Sequence, residues 1–340
     1  MRNGILVSGN WIIDHVKLID VFPEEEKLVS ILAEYSCNGG SAFNVVKGLA
    51  KLKAPFPISG LGLIGDDERG EKILQDCSRH QIDTSQLRKT TEAHTSYTDV
   101  MSVKCTGKRT FFHQRGANAL LDMHHFDFAA SQAKIFHLGY LLLLDKLDVK
   151  EADGTTRAAK VLKSAQNHGF ITSADIVSER SNRFRETIPS SLPYLDYLFV
   201  NEFEASMITG IETVQNGQVL EEKCTDAAWK LLEMGVNRWV ILHFPAGAIA
   251  VSKTGEQLFQ PSINLPSDKI AGASGAGDAF AAGILMGVHE NWEMSQCLQL
   301  GVCAAARSLF AATSSDGILP ATECLQLAQQ YGFRNATVQV

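Results

Sequence analysis

The sequence predicts an α/β fold: a central, mostly parallel sheet flanked by helices, with a smaller β-sheet standing outside it. Three observations carry this. Apolar runs of strand length alternate with helical stretches over residues 37–94 and again from 119 to 340. Two segments rich in β-formers, 14–36 and 95–118, interrupt that alternation. A glycine-rich turn, Gly275-Ala276-Gly277, leads into an apolar run over 279–286 that is long enough for a buried helix. The expected division is a core of 1–13, 37–94 and 119–340 and an outer sheet of 14–36 and 95–118.

Residues 4–13 read as a first strand that ends at Asp14; the segment is too short and too weakly charged for a signal peptide. His15 to Val21 partly alternates, Pro23 and three glutamates form a turn, and Leu28 to Tyr35 is extended again. Gly39 and Gly40 precede a helical pattern with Ala42, Val45, Val46, Leu49 and Leu52 on one face, stopped by Pro55 and Pro57. Residues 58–64 read as a strand, Asp66-Asp67 as a cap and 70–80 as a helix. The runs 96–103 and 109–113 flank Thr106-Gly107-Lys108, a hairpin turn. Further strands are expected at 135–138, 170–175, 197–200 and 239–243. Helices are expected near 155–168, 201–209, 224–234, 276–289, 294–311 and 320–330.

Composition narrows the function. A length of 340 residues with 45% hydrophobic and 20% charged residues can bury a large core. A net charge of −7 argues against a nucleic-acid or anionic-membrane surface, and no apolar run approaches the roughly 20 residues that span a bilayer. The seven cysteines are spread without a C-x-x-C pair, as expected of reduced thiols in the cytoplasm. The ten histidines show no metal spacing; the adjacent His124 and His125 point in different directions and read as surface residues.

The chemistry concentrates at 270–283. A helix that starts after small residues leaves its first amides unpaired, with the positive end of its dipole behind them. That is an anion site, and Asp278 sets a carboxylate at its edge. An amide cradle for a phosphoryl group beside a base for the attacking hydroxyl suits phosphoryl transfer to a small molecule. The plainer alternative is that Asp278 only caps a helix. A dinucleotide fingerprint from Gly275 fails because Phe280 stands where its last glycine belongs. A phosphate-binding loop from Gly65 to Lys72 fails because Glu71 replaces its lysine and three acids crowd the loop.

The chain resembles the ribokinase-like, phosphofructokinase-B type carbohydrate kinases. That family's C-terminal signature ends in Gly-Ala-Gly-Asp, here Gly275-Ala276-Gly277-Asp278. Its N-terminal signature is two glycines with an asparagine four residues later, here Gly39, Gly40 and Asn44. Its middle motif, Asn-x-x-Glu after a strand, is Asn201 to Glu204. Order and separations match over nearly the whole chain. The resemblance implies a three-layer ribokinase-like fold whose outer sheet is a lid and, in many members, a homodimer contact. It implies ATP as donor, Mg²⁺ as cofactor and a sugar or sugar-like small molecule as acceptor.

Residue by residue, the resemblance implies Asp278 as catalytic base and Gly275, Ala276 and Gly277 as the anion hole. Asp14, Gly39, Gly40 and Asn44 would bind the sugar, with Arg115 and Asn118 of the sequence Arg115-Gly116-Ala117-Asn118 beside it. Asn201, Ser274, Gly247, Gly275 and Gly277 would bind the nucleotide. Asn201 and Glu204, three apart at a helix start, would organise Mg²⁺ through water; a capped helix with a solvated acid is the alternative. The chain also departs from the family. Gly272-Ala273 replace an Asp-Thr pair whose aspartate is associated with a monovalent cation, which leaves that cation open. In the loop from His243 to Ala248, usually a threonine or serine with glycines, only Gly247 matches. Ile12 and the run Leu138-Gly139-Tyr140 replace an asparagine and an acid of ribokinases proper, so ribose is not favoured. A nucleoside kinase and a non-catalytic metabolite-binding protein are the competing readings.

Overall fold

Alternate side chains of each central strand enter two different apolar layers, and that alternation builds the molecule. The computed structural model describes residues 2–179 and 181–335. In chain order come β1 (Ile5–Gly9), β2 (Ile12–Ile19), β3 (Ile31–Gly39), α1 (Ser41–Lys51), β4 (Ile58–Gly65), α2 (Glu68–Arg79), β5 (Asp83–Thr90), β6 (Ser96–Val103) and β7 (Arg109–Gln114). Then follow β8 (Ile135–Leu141), α3 (Arg157–Asn167), β9 (Ile171–Ile176), α4 (Phe184–Thr187), β10 (Tyr197–Asn201), α5 (Glu202–Thr209) and the small hairpin of β11 (Val214–Gln215) and β12 (Gln218–Val219). The chain continues with α6 (Glu221–Glu233), β13 (Trp239–Phe244), β14 (Gly247–Ser252), β15 (Gln257–Pro261), α7 (Ala276–His289), α8 (Met294–Ser308) and α9 (Ala321–Tyr331).

Nine strands form one sheet in the order β15-β14-β13-β10-β9-β8-β1-β4-β5, parallel except where β14 and β15 fold back as an antiparallel edge. Ile5, Val7, Phe199 and Ile241 face the layer containing α1, α7 and α8. Their neighbours Leu6, Leu198, Val200 and Leu242 face the layer containing α3 and α6. Central strands of a parallel sheet are covered on both faces, which is why they read as short continuous apolar runs.

The second sheet has the order β3-β2-β6-β7. The chain leaves the core for it at Gly9, whose φ of 125° and close approach to Gly139 exclude a side chain: a Cβ would lie 1.3 Å from the Gly139 carbonyl oxygen. Trp11, fully buried, fastens the crossing. Its ring stacks on Phe43 at 5.5 Å, its Nε1 donates to the Leu61 carbonyl at 3.0 Å, and Gly60 and Gly62 make room for it.

Two expectations change. The first strand ends at Gly9, so Asp14 is not at its end but is the third residue of β2, inside the outer sheet. Five strands were not anticipated: β5, β11, β12, β14 and β15, of which β11 and β12 are two residues each and too short to show a period. β5, Asp-Thr-Ser-Gln-Leu-Arg-Lys-Thr, is a sheet edge with little apolar surface to cover, so it carries almost no hydrophobic signal. β14 and β15 are short and follow a turn at Pro245, which masks a hairpin. The remaining core strands and long helices fall where expected to within a few residues, except that α8 stops at Ser308. All seven cysteines are free.

Candidate active site

Gly275 precedes α7 in the left-handed conformation, φ 70°, and no side chain caps the helix. A Cβ at Gly275 would sit 2.6 Å from Ser314 Cβ. The open N-terminus forms a wall of a cavity of about 410 Å³, with Ala273, Ser274, Gly275, Gly277 and Asp278 among its lining. Unspent amides and the helix dipole give this wall anion-binding character.

Asp278, one turn into α7, is buried. Asn44 Nδ2 donates to its Oδ2 at 2.7 Å, and the Tyr140 hydroxyl lies 3.0 and 2.9 Å from its two oxygens. Burial, then the nearby Asp175, push the Asp278 carboxyl up to about 7, against the two donors that hold it down. A carboxyl in that range is placed to accept a proton near neutral pH. Burial and the neighbouring acids in turn raise the Tyr140 hydroxyl. Asp175, at the carboxyl end of β9, accepts from Ser41 Oγ at 2.5 Å through Oδ2, and its Oδ1 is buried without a partner among the described residues.

The outer sheet supplies the opposite wall. Its register places Asp14 beside Thr98 and Thr98 beside His113, one rung across β2, β6 and β7. Thr98 Oγ1 and His113 Nδ1 are 3.0 Å apart. Burial raises the Asp14 carboxyl to about 7, against the Thr98 hydroxyl and the positive Arg109, and burial first, then Arg115, lowers His113 to about 4. Four buried side-chain atoms with no partner among the described residues, Arg109 Nη1, His113 Nε2, Asp175 Oδ1 and Ser314 Oγ, belong to residues lining this one cavity. Buried polar atoms are normally satisfied, so their concentration here marks the place of a polyfunctional polar ligand.

A second cavity of about 420 Å³ shares Asn201, His243, Ala273 and Gly277 with the first. Elsewhere it is lined by apolar groups, including Ile263, Phe280, Val302 and Leu309, with Gly247 and Arg334 at its polar side. His243 is held neutral where the two meet: burial lowers its ring to about 4. Asn201 and Glu204 form a reciprocal capping box on α5. The Asn201 amide N–H donates to Glu204 Oε2 at 2.9 Å, Glu204 N–H donates to Asn201 Oδ1 at 2.8 Å, and Ser178 Oγ donates to Glu204 Oε1 at 2.7 Å. Glu204 is thus a buried cap rather than a solvated acid, and burial raises its carboxyl to about 8.

Of the residues singled out from sequence, Asp14, Gly40, Asn44, Asn201, Glu204, Ser274, Gly275, Gly277 and Asp278 line the first cavity, and Ala276 and Gly247 the second. The other three do not line either one. Gly39 lies under Asp14, where a Cβ would fall 2.2 Å from Oδ1. Asn118 braces Trp11, accepting from its N–H and donating to its carbonyl, both at 3.2 Å. Arg115 turns away to Asp145 at 2.6 Å and Glu179 at 3.7 Å. The sequence reading missed Tyr140 and Asp175, although both stand at carboxyl ends of core strands, where α/β sites form. It also missed Arg109 and His113, whose signal was their period-two spacing with Phe111 on β7.

A family model described as pfkB family carbohydrate kinase matches residues 8–320. Adenosine kinase 1 of Arabidopsis thaliana is 22% identical over 306 residues, covering 87% of this chain and 84% of that protein. A 5-dehydro-2-deoxygluconokinase of Clostridium perfringens is 24% identical over 299 residues, covering 85% and 82%. The solved structure of Arabidopsis thaliana ribokinase complexed with ribose and ATP superposes with a TM-score of 0.76 at 20% identity, covering 96% of this chain and 99% of that one. A putative ribokinase II from E. coli, in complex with ATP and Mg²⁺, gives 0.74 at 16% identity, covering 96% and 99%. The architecture described above is therefore the ribokinase fold.

Proposed function

This chain belongs to the pfkB family of carbohydrate kinases, and from that membership we propose that it transfers the γ-phosphoryl group of ATP to a hydroxyl of a sugar or sugar-like small molecule. One observation supports the reading above others. The open N-terminus of α7 stands between two joined cavities, with Gly277 lining both and Asp278 directed into the polar one.

The acceptor occupies the cavity between α7 and the outer sheet, where Asp14, Arg109, His113 and Asp175 offer it charge and hydrogen bonds. ATP lies with its base among the apolar groups near Phe280 and Val302 and its phosphates toward the Gly275–Asp278 amides. Asp278 accepts the proton of the attacking hydroxyl, while the amides receive charge on the phosphoryl oxygens. Positioning and charge stabilisation do nearly all the work in such a transfer.

Among the described residues no cluster of three or more His, Cys, Asp or Glu is arranged to hold a metal directly. Water-borne Mg²⁺ fits at Asp175 Oδ1, which has no partner among the described residues, while Asn201 and Glu204 line the same cavity with their oxygens engaged in the α5 cap. Bound Mg²⁺ neutralises phosphate charge. No carboxylate stands at Gly272 to recruit a monovalent cation.

A nucleoside acceptor is the second reading, favoured by an apolar strip of Ile12, Phe111, Leu143 and Val177 along the same cavity. The outer sheet closes over the acceptor as a lid. Its exposed Phe22, Leu28, Ile31, Leu32 and Phe112 are the place for a second copy of the chain, and sedimentation tests that homodimer. Among the described residues no helix is long and apolar enough to cross a membrane; a cytoplasmic location accompanies the free thiols.

ADP release from Mg-ATP across ketoses, aldoses, sugar acids and nucleosides tests the function. Turnover confined to one sugar class is the expected result, and turnover on nucleosides alone selects the second reading. Ligand-induced stabilisation with no ADP from any acceptor would refute both and leave a metabolite-binding protein.

A further inference from the structure

Four side chains run in a buried hydrogen-bonded line that ends on Asp278. Lys47 Nζ donates to Asn38 Oδ1 at 3.0 Å, and Ser315 Oγ donates to the same oxygen at 2.8 Å. Asn38 Nδ2 donates to Asn44 Oδ1 at 2.6 Å, and Asn44 Nδ2 donates to Asp278 Oδ2 at 2.7 Å. Lys47, Asn38 and Asn44 are all buried. The helix sets the spacing: Asn44 and Lys47 are three apart on α1 and share a face, while Asn38 reaches between them from the end of β3.

An ammonium group carries donors only, whereas an amide carries a donor end and an acceptor end. Asn38 must therefore turn its oxygen to Lys47, which leaves its NH₂ for Asn44. Asn44 must turn its oxygen to that NH₂, which leaves its own NH₂ for Asp278. We propose that Lys47 is a positioning residue for the base of phosphoryl transfer: its ammonium fixes the direction of the Asn38–Asn44 line, so that Asn44 can only donate to Asp278. The role of Asp278 as that base rests on the kinase reading above; the direction of the line does not.

The consequence falls on the proton held by Asp278. Asp175 of β9, Tyr140 of β8, Asp14 of β2 and His243 of β13 line the same cavity. Lys47 is itself faced by Asp76 of α2 at 2.9 Å and Asp316 at 3.6 Å. Burial and Asp175 favour the protonated base, while Asn44 and Tyr140 oppose it. Were the Asn44 amide reversed, a carbonyl oxygen would meet the carboxylate, and Asp278 would keep its proton at the pH where it must take one up.

Three variants test the direction. Asn38→Asp keeps the shape but offers only acceptors; its carboxylate pairs with Lys47 and draws the Asn44 NH₂ toward position 38, leaving the Asn44 oxygen against Asp278. Lys47→Met keeps the stem and removes the fixed donor. The readouts are the ¹³C titration of the Asp278 carboxyl in the free protein, assigned by its loss in Asp278→Asn, and the pH profile of kcat. In Asn38→Asp both are expected to move up by about one pH unit or more, the size of a lost hydrogen bond to a charged group. A smaller upward shift is expected in Lys47→Met, which reads the same effect independently if Asn38→Asp does not fold. A folded variant with the wild-type titration overturns the proposal. So does a folded, charge-neutral Asn38→Leu with the wild-type titration: it frees the Asn44 amide without changing charge, and the shifts of the two charge-changing variants would then be through-space effects, which salt screens weakly between buried groups. A wild-type protein inactive on every acceptor, with the carboxyl shifts still seen, supports the fixed amide line and refutes the kinase reading instead.

Discussion

α7 and α5 both present an N-terminus to the same cavity, and they differ in what their first amides do. α5 caps itself: Asn201 and Glu204 each satisfy the other's backbone N–H, and Ser178 completes the set. α7 begins at Gly275, which has no side chain to offer, and its first amides stay open to the cavity. A helix end binds an anion with the donors it has not already used. On that ground the proposed reaction places the phosphoryl group at α7, with α5 as the capped helix that carries Asn201 and Glu204.

The largest break in this comparison comes from the open end. Asp278→Ala should lower kcat by roughly 10²–10⁴-fold, the usual contribution of a positioned base. Its melting temperature should fall only modestly, because the buried acid is raised toward neutrality while Asn44 and Tyr140 lose their acceptor. A folded variant with near wild-type turnover would remove Asp278 from the chemistry.

Gly275→Val should follow, with a loss in kcat on the order of 10² as the added side chain meets Ser314 and displaces the amides from the phosphoryl group. The matching change at the capped end, Asn201→Ala, should cost about 1 kcal/mol of stability by urea denaturation and alter kcat much less. If Asn201→Ala lost as much turnover as Gly275→Val, the two helix ends would share the phosphates and the contrast would fail.

The smallest effect sharpens the contrast through pH. Folding keeps Glu204 protonated up to about 8, while the unfolded chain ionises in the ordinary carboxylate range. Its contribution to stability is full below that range and is lost as pH rises through the window up to about 8. Glu204→Gln has no proton to lose, so its stability relative to wild type should rise across that window. A difference that stays flat with pH would mean Glu204 is ionised in the fold and acts as a charged cap.

Much of this site could be read from residues adjacent in the chain. The Gly-Ala-Gly-Asp turn before an apolar helix is a local pattern, and so are the Asn-x-x-Glu pair after a strand and the two glycines before α1. Each depends on backbone geometry within a few residues. Tyr140 and Asp175 could not be linked to Asp278 in that way, since β8 and β9 meet α7 only when the sheet brings distant segments together. Arg115 shows the converse: it stands in a family-like sequence, yet ion pairs with Asp145 and Glu179 turn it from the cavity.

The α/β core, the two-segment outer sheet and the uncapped glycine start of α7 were legible in the chain alone, because periodicity and small residues act over one turn or one strand. Tertiary contacts placed Asp14 within β2 rather than at the end of the first strand, set Asn118 against Trp11 and buried Glu204 as a cap. The same contacts connect a lysine on α1 to Asp278 through two asparagines. Hydrogen-bond direction and burial depend on which distant side chains arrive at the same place, and residue spacing carries no record of that.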